Sequence, residues 1–482
     1  MRGTLHLLNL IIFRSINLSL LTSVMNGHRI TATTSQPPVP RSRAVTRSWS
    51  RTSRVIAGTA TALAVLTACG GGGDDTANKS NEPVTITFWG WAKGSKDVVD
   101  AFNASHTDIQ VKFEEIPSGT AGGYAKISNA VKAGNAPDLV SIEYSSLPEF
   151  VSSGALQDIG GEFTEADRAK LLPQTVELTT LGGKTWAVPF DAAPQAFFYR
   201  KDLFAKYKVE VPTTWDAFRK AAEQVKKADA KARIATFFPD DPTTFEAMAW
   251  QAGAQWFKAE NDTWKIDTTD AATTKVTAYW QGLLDAGLVH KNASFSPEWT
   301  GSLKNGTTIG YLGASWGAGV LKGTLPEQNG KWAVAPMPSW DGKPASGMLG
   351  GTSFAVTKDS KRKAAAVTFA EWMSTTEDGV KARIASGTSS AFPAAAALRP
   401  VAKKAFDASY YGGQDIYALF EASGASISPN WAWGPTTGTT NTTIKDHFGK
   451  IAQGGPGIAD AVKAGHDATV AELTKRGLKV EG

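Results

Sequence analysis

The sequence predicts α/β lobes with mostly parallel sheets, and three observations carry the prediction. Short runs of apolar, β-branched and aromatic residues recur along the chain, separated by stretches whose apolar residues fall at helical spacing. The 482 residues are 42% hydrophobic and 20% charged, which suits a soluble globular protein and exceeds one core, so two or more lobes are expected. A single cysteine, Cys69, rules out an internal disulfide, so the cores must suffice without cross-links.

The chain begins with a leader. Residues 1–68 hold eight Arg, no Lys and no acid, which leaves 42 basic against 45 acidic residues from Cys69 onward. The formal charge of +5 is therefore a property of the leader, and the body offers no electrostatic case for nucleic acid. Arg41 to Arg54 form a basic stretch, and Val55 to Leu66 is apolar, too short to span a bilayer and suited to the core of a signal peptide. A start at Met25, or nearer Arg41, would give a leader of ordinary length. Leu66-Thr67-Ala68-Cys69 resembles the bacterial lipobox, which implies lipidation of Cys69, cleavage before it and anchoring by two or three acyl chains. Residues 69–82 then read as a tether rich in Gly, Asp and Asn.

The mature elements follow in order. Val84 to Trp91 alternates β-branched and aromatic residues, a strand. Lys96 to Asn103 places Val98, Val99 and Phe102 at helical spacing. Ile109 to Ile116 alternates as a second strand, Ala125 to Ala133 reads as a helix, and Pro137 to Ile142 as a short apolar strand. Trp186 to Pro189 and Ala196 to Arg200 flank Asp191 as a strand interrupted by a turn. A helix follows Thr214 to about Lys227, with Phe218, Ala222 and Val225 on one face. Thr308 to Leu312 and Thr352 to Thr357 are strands. Ala364 to Met373 is a helix with Phe369, Trp372 and Met373 inward. The last helix, about Ile458 to Thr474, lines up Ile458, Val462, Thr469 and Leu473.

Several phrases in this order resemble the extracellular solute-binding family 1 proteins of ABC sugar transporters. They are Gly134-Asn-Ala-Pro-Asp-Leu-Val140, Gly154-Ala-Leu-Gln-Asp158, Gly183-Lys-Thr-Trp-Ala-Val-Pro189, Phe198-Tyr-Arg-Lys-Asp-Leu-Phe204, Pro212-Thr-Thr-Trp-Asp216, Trp332-Ala-Val-Ala-Pro-Met-Pro338, Gly350-Gly351 and Phe369 to Trp372. The resemblance covers the mature chain and implies a two-lobed, periplasmic-binding-protein-like fold with crossover hinge strands. It implies an N-terminal lobe of residues 83–190 plus 349–410 and a C-terminal lobe of 191–348 plus 411–482, crossing near Pro189–Asp191, Leu349–Gly351 and Tyr410–Gly413.

A sugar presents apolar C–H faces ringed by hydroxyls, and flat aromatic rings with carboxylates or amides answer that pattern. Ligands of α/β sheets bind at the carboxyl ends of strands. Candidates at such ends are Trp91, Glu143, Tyr144 and Trp316, with Asp191 and Gly351 at crossovers, Asp241 and Phe245 in a loop after Phe237-Phe238, and Trp431 and Trp433 in the loop Pro429 to Pro435. The resemblance places contacts at Asp191 and Trp316, where a ligand role outweighs packing. For Glu143, Tyr144, Asp241 and Trp433 the two readings balance, and Trp89, Trp250, Trp280 and Trp372 read as core. Ile142 and Ser145 stand where a maltose-binding branch has Trp and Asp, so maltose contacts do not carry over.

The expected function is an extracytoplasmic, lipid-anchored carbohydrate receptor, with an oligosaccharide favoured, delivering to ABC permease subunits. It is expected to be a monomer without enzymatic activity, cofactor or nucleic-acid partner. Two alternatives stay open. Gly313-Ala-Ser-Trp-Gly317 matches G-x-S-x-G after a strand, so a hydrolase using Ser315 with His447 or His466 is one. A polyamine receptor of the same fold is the other. The four mature histidines (His106, His290, His447, His466) are scattered, so no metal site is expected.

Overall fold

The computed structural model describes residues 82–385, 387–451 and 453–481. The predicted leader, Cys69 and the tether up to residue 81 lie outside the described residues. The strands that build the two main sheets are, in chain order, β1 (Val84–Gly90), β2 (Ile109–Glu115), β3 (Leu139–Glu143), β4 (Val188–Pro189), β5 (Gln195–Arg200), β6 (Gly310–Ala314), β7 (Trp332–Ala335) and β8 (Thr352–Val356). The helices used below are α1 (Ser95–Ser105), α2 (Gly123–Ala133), α3 (Leu147–Ser152), α4 (Trp215–Ala228), α5 (Pro242–Gln251), α6 (Ala271–Asp285), α7 (Pro297–Asn305), α8 (Gly317–Thr324), α9 (Lys363–Thr375), α10 (Glu377–Ala385), α11 (Thr437–Ile451) and α12 (Ile458–Lys475).

The first sheet has the order β2-β1-β3-β8-β4. β1 pairs in parallel with β2 and β3, as the alternating strand and helix pattern predicts. Its alternation buries Ile86 and Phe88, and α1 covers them with Val98, Val99 and Phe102. The Pro137-Asp138 phrase has a structural use. One Asp138 carboxylate oxygen accepts the backbone N–H and the hydroxyl of Thr87, each at 2.9 Å, and the other accepts the Ser360 hydroxyl at 2.7 Å. A buried acid thus ties β1, the start of β3 and the turn after β8.

The second sheet departs from expectation. Its order is β6-β5-β7 and both pairings are antiparallel. In the first sheet β8 is likewise antiparallel to β3 and β4. The cause is connectivity. β1 and β3 run toward the end of the sheet that meets the second lobe, whereas β8 re-enters from there, pairing its first residue Thr352 with Glu143, the last of β3. On the second side α12 packs on α11 and α6, with Thr440 and Thr469 hydroxyls 2.6 Å apart between the first two. The terminal strand Lys479–Glu481 pairs with Thr263–Ile266.

Three stretches pass side by side between the sheets. The short strand Asp191–Ala192 pairs with Phe392–Pro393, Pro194 bridges Met348, and the Leu349 N–H donates to the Ala193 carbonyl at 3.0 Å. Tyr410–Gly413 is not one of them. The Tyr410 and Tyr411 hydroxyls donate to the Leu325 and Ala318 carbonyls, at 3.0 and 2.8 Å, which fixes that turn beside α8 on the second sheet's side.

At the middle passage Gly351 adopts φ 98°, and a Cβ there would lie 2.7 Å from the Tyr144 ring. Both facts demand glycine. Gly351→Ala is expected to lower stability by about 1–3 kcal/mol, seen as a reduced Tm in calorimetry. An unchanged Tm would refute the close approach to Tyr144.

Candidate functional site

Register brings several predicted residues to one end of the first sheet. Trp91 follows β1, Glu143 ends β3, and Thr352 opens β8 directly opposite Glu143. Tyr124 of α2, absent from the sequence-based set, organises this corner. Its ring meets Trp91 edge-on at 5.7 Å, its hydroxyl donates to Glu143 Oε2 at 2.7 Å, and it accepts the Glu143 backbone N–H at 3.2 Å. Its only sequence signal is an aromatic one residue into a helix that opens on Gly122-Gly123.

Asp191 lies between the sheets at 5% exposure. Its Oδ1 accepts the Thr352 N–H at 2.7 Å, and its carbonyl accepts the Tyr144 hydroxyl at 2.9 Å. Burial pushes the carboxyl up to about 7, against the opposing pull of the Thr352 N–H and the Arg383 guanidinium. Arg383 of α10 is itself buried, its guanidinium 4.2 Å from the Phe190 ring centre, and burial lowers it to about 10 while Asp191 opposes that fall. It also donates to the Lys93 carbonyl at 3.3 Å and to Ser95 Oγ at 3.2 Å, so one cation underlies both the crossover and the loop after Trp91.

From the second sheet, β6 delivers Ser315 and Trp316. The Trp316 indole N–H donates to the Leu349 carbonyl at 2.8 Å, which fixes the half-buried ring to the middle passage. A Cβ on Gly350 would lie 3.5 Å from that indole nitrogen and 3.6 Å from Glu143 Oε1, so glycine backbone separates the ring from the carboxylate. Asp241 faces the same region. Burial, the main cause, and the Asp241 charge raise the Glu143 carboxyl, while burial raises Asp241 itself. Glu246, fully buried, is raised by burial and by Asp241, with Asn441 opposing the rise. Trp91, Glu143, Tyr144, Asp191, Trp316 and Gly351 therefore form one cluster, with Asp241 coupled to it through charge.

Some expectations need correction. Asp241 ends the expected loop, but Phe245 lies in the helix that follows. Asp241 is the N-cap of α5, accepting the Thr243 N–H at 3.0 Å and the Thr244 hydroxyl at 2.9 Å, and Phe245 is core. Trp431 is buried and stacks on Trp250 at 5.3 Å and 7°. Trp433 is half-buried, and its ring partners are Trp431 and Trp250, not Trp316. As expected, Trp250 and Trp280 are core, and the half-buried Trp89 and Trp372 pack against it. The Ser315 hydroxyl is fully buried and donates to the Ala192 carbonyl at 3.4 Å. His447 Nδ1 bonds the Thr443 carbonyl within α11, and His466 sits on α12, so neither histidine is among the Ser315 partners.

With that geometry in view, the comparisons with known proteins are specific. Residues 90–380 match a family model described as bacterial extracellular solute-binding protein. The chain is similar to the ABC transporter associated binding protein from B. animalis subsp. lactis Bl-04 in complex with β-1,6-galactobiose. The identity is 29% and the TM-score 0.76, over 83% of this chain and 100% of that one. It is also similar to the galacto-N-biose-/lacto-N-biose I-binding protein of Bifidobacterium longum in complex with lacto-N-biose, at 27% identity and TM-score 0.74, over 84% and 100% of the two chains. The lactose-binding protein of Rhizobium radiobacter is 26% identical over 80% of this chain and 93% of its own length. The two-lobed, periplasmic-binding-protein-like fold with crossover strands expected from the sequence is that of these neighbours.

Asp191 supplies a pH test. Its folded-state value lies above the ordinary 3.8, at about 7, so the folded protein binds this proton more tightly than the unfolded chain. Its contribution to stability is full below the ordinary value and is lost as pH rises toward 7. In urea titrations between pH 5 and 7.5, wild type is expected to lose stability relative to Asp191→Asn, whose amide oxygen can still accept the Thr352 N–H. A pH-independent difference would refute the raised value.

Proposed function

The chain belongs to the bacterial extracellular solute-binding protein family, and from that premise we propose that it is a carbohydrate receptor for an ABC importer, with an oligosaccharide as its ligand. One observation carries the proposal. An indole ring, Trp316, is pinned by its N–H to a hinge carbonyl beside the carboxylates Glu143 and Asp241. A ring for a sugar C–H face and acceptors for its hydroxyls are what a pyranose requires. Three sugar-binding relatives support the same class, since β-1,6-galactobiose, lacto-N-biose and lactose appear in their names.

In this reading the lobes divide at the paired strands Asp191–Ala192 and Phe392–Pro393 and close as jaws over the ligand. Glu149 of α3 marks the closed arrangement. Its carboxylate accepts the Gly438 N–H in the first turn of α11 at 3.0 Å, across the two lobes. Carboxylates Glu143 and Asp241 repel one another when the lobes meet, so hydroxyl donors from a sugar favour closure. Lipidation at Cys69 would hold the receptor at the outer face of the membrane, beside a permease that docks the closed form. Ser315 is not presented as a nucleophile, because its buried hydroxyl donates to a hinge carbonyl.

The test is a thermal-shift screen of the chain from Gly70 against mono- and oligosaccharides, polyamines and amino acids, followed by calorimetry. A ligand at a hundred times its Kd stabilises by about 2.7 kcal/mol. A sugar is expected to produce that shift, and Trp316→Ala to abolish it. A shift from spermidine alone would replace the substrate class. Ester or glycoside turnover lost in Ser315→Ala would overturn the receptor reading.

A further inference from the structure

Phe295 is an exception among the aromatic residues. At 48% exposure it is the one exposed Phe, Tyr or Trp among the described residues. It also holds φ 55°, in the left-handed region, which bulky side chains adopt only at a cost. Its neighbours on both sides enforce that conformation. The Ser294 N–H and hydroxyl donate to the two Asp240 carboxylate oxygens at 2.8 and 2.9 Å, and the Ser296 hydroxyl caps α7 by accepting the Trp299 N–H at 3.1 Å. Between these anchors the Phe295 ring lies edge-on to Trp299 at 5.3 Å and stands 6.0 Å from the Trp316 ring, inclined at 54°.

A phenyl group on a left-handed backbone costs stability. Nothing in the packing of the second lobe requires it, since Trp299 is buried by Phe238 and Tyr311 as well. Its position beside Trp316 supplies a reason. The two rings are inclined to one another 6.0 Å apart, so each offers its own apolar face to a sugar C–H patch. We propose that Phe295 and Trp316 form a two-ring subsite in which Trp316 carries one sugar unit and Phe295 the next, so that the ligand is at least a disaccharide. The inference rests on the carbohydrate-receptor reading and adds to it the ligand's minimum length and the residue that measures it.

The experiment is calorimetric binding of β-1,6-galactobiose, lacto-N-biose and lactose, each beside galactose, to wild type and to Phe295→Ala, Phe295→Trp and Phe295→Gly. Phe295→Ala is expected to weaken the bound disaccharide roughly tenfold, the scale of one aromatic contact, while changing galactose less than about twofold. Phe295→Trp should retain disaccharide affinity. Phe295→Gly, which removes the strain at φ 55°, should lose the disaccharide without lowering Tm by more than about 2 °C. Disaccharide affinity unchanged in Phe295→Ala overturns the proposal, even if uptake in cells falls, because the ring would then serve a docking partner. So does an equal loss for disaccharide and galactose, or a Tm drop of many degrees in the glycine variant, either of which makes the ring a packing group. Wild type that binds galactose but none of the disaccharides also overturns the proposal, whereas wild type that binds none of the four and shows no sugar shift in the thermal screen overturns the receptor reading and the subsite with it.

Discussion

The arrangement of the two lobes depends on a carboxylate placed where carboxylates are costly. Asp191 sits at the first passage between the sheets, and through one side chain and one carbonyl it holds Thr352 of the returning strand and Tyr144 of the outgoing one. Two stretches of chain, 161 positions after Asp191 and 47 before it, are thereby fixed to a single residue. The cost of burial is offset in part by the backbone N–H and in part by Arg383, which is buried against Phe190. Arg383 in turn bonds the loop after Trp91. The hinge and the rim of the proposed ligand site therefore share one electrostatic network, and a change in the protonation of Asp191 reaches both.

Around this centre the acids differ in how fully they are engaged. Asp138 has three donors on its two oxygens and stitches strands. Asp241 also has three, the Thr243 N–H and hydroxyl and the Thr244 hydroxyl, in capping a helix. Glu143 has a single phenol donor and otherwise faces Trp316 across glycine backbone. Open acceptor capacity is therefore concentrated on Glu143, where the lobes face each other. A polyhydroxylated ligand would exploit it, because a hydroxyl donor answers an acceptor that the protein leaves open.

Much of this fold was legible in the sequence because most of it is governed by local periodicity. The alternation in Val84–Gly90 and the stripe of Ile458, Val462, Thr469 and Leu473 report burial directly, and the structure buries all of the named positions on those faces. Strand direction is different. The antiparallel second sheet follows from how the chain passes between lobes, a nonlocal property that no periodicity encodes. The candidate site divides along the same line. Residues that end strands were identifiable, since strand ends point to the inter-lobe face. Tyr124, Arg383 and Glu149 were not, because each acts through a partner between 19 and 290 positions away. Asp241 shows the opposite error. An acid before Pro242-Thr-Thr reads as a loop ligand, and its first duty is to cap a helix.

Ser315 and Trp316 show how one backbone feature can mimic another. The G-x-S-x-G pattern arises in hydrolases because a sharp turn from strand to helix leaves no room for side chains beside the nucleophile. The same constraint operates here. A Cβ on Gly313 would lie 2.4 Å from the Tyr311 ring, and one on Gly317 would lie 2.9 Å from it. The glycines are therefore needed to let β6 turn into α8 against Tyr311, whichever residue stands between them. What differs is the direction of the exposed group. In this protein the serine is turned inward to the Ala192 carbonyl and the tryptophan is turned to the inter-lobe face, with its N–H held by Leu349. A turn that in an enzyme would project a hydroxyl toward substrate here projects an aromatic plane. The motif records a steric requirement of the turn, and the chemistry is decided by which of its two central side chains the hinge carbonyls draw inward.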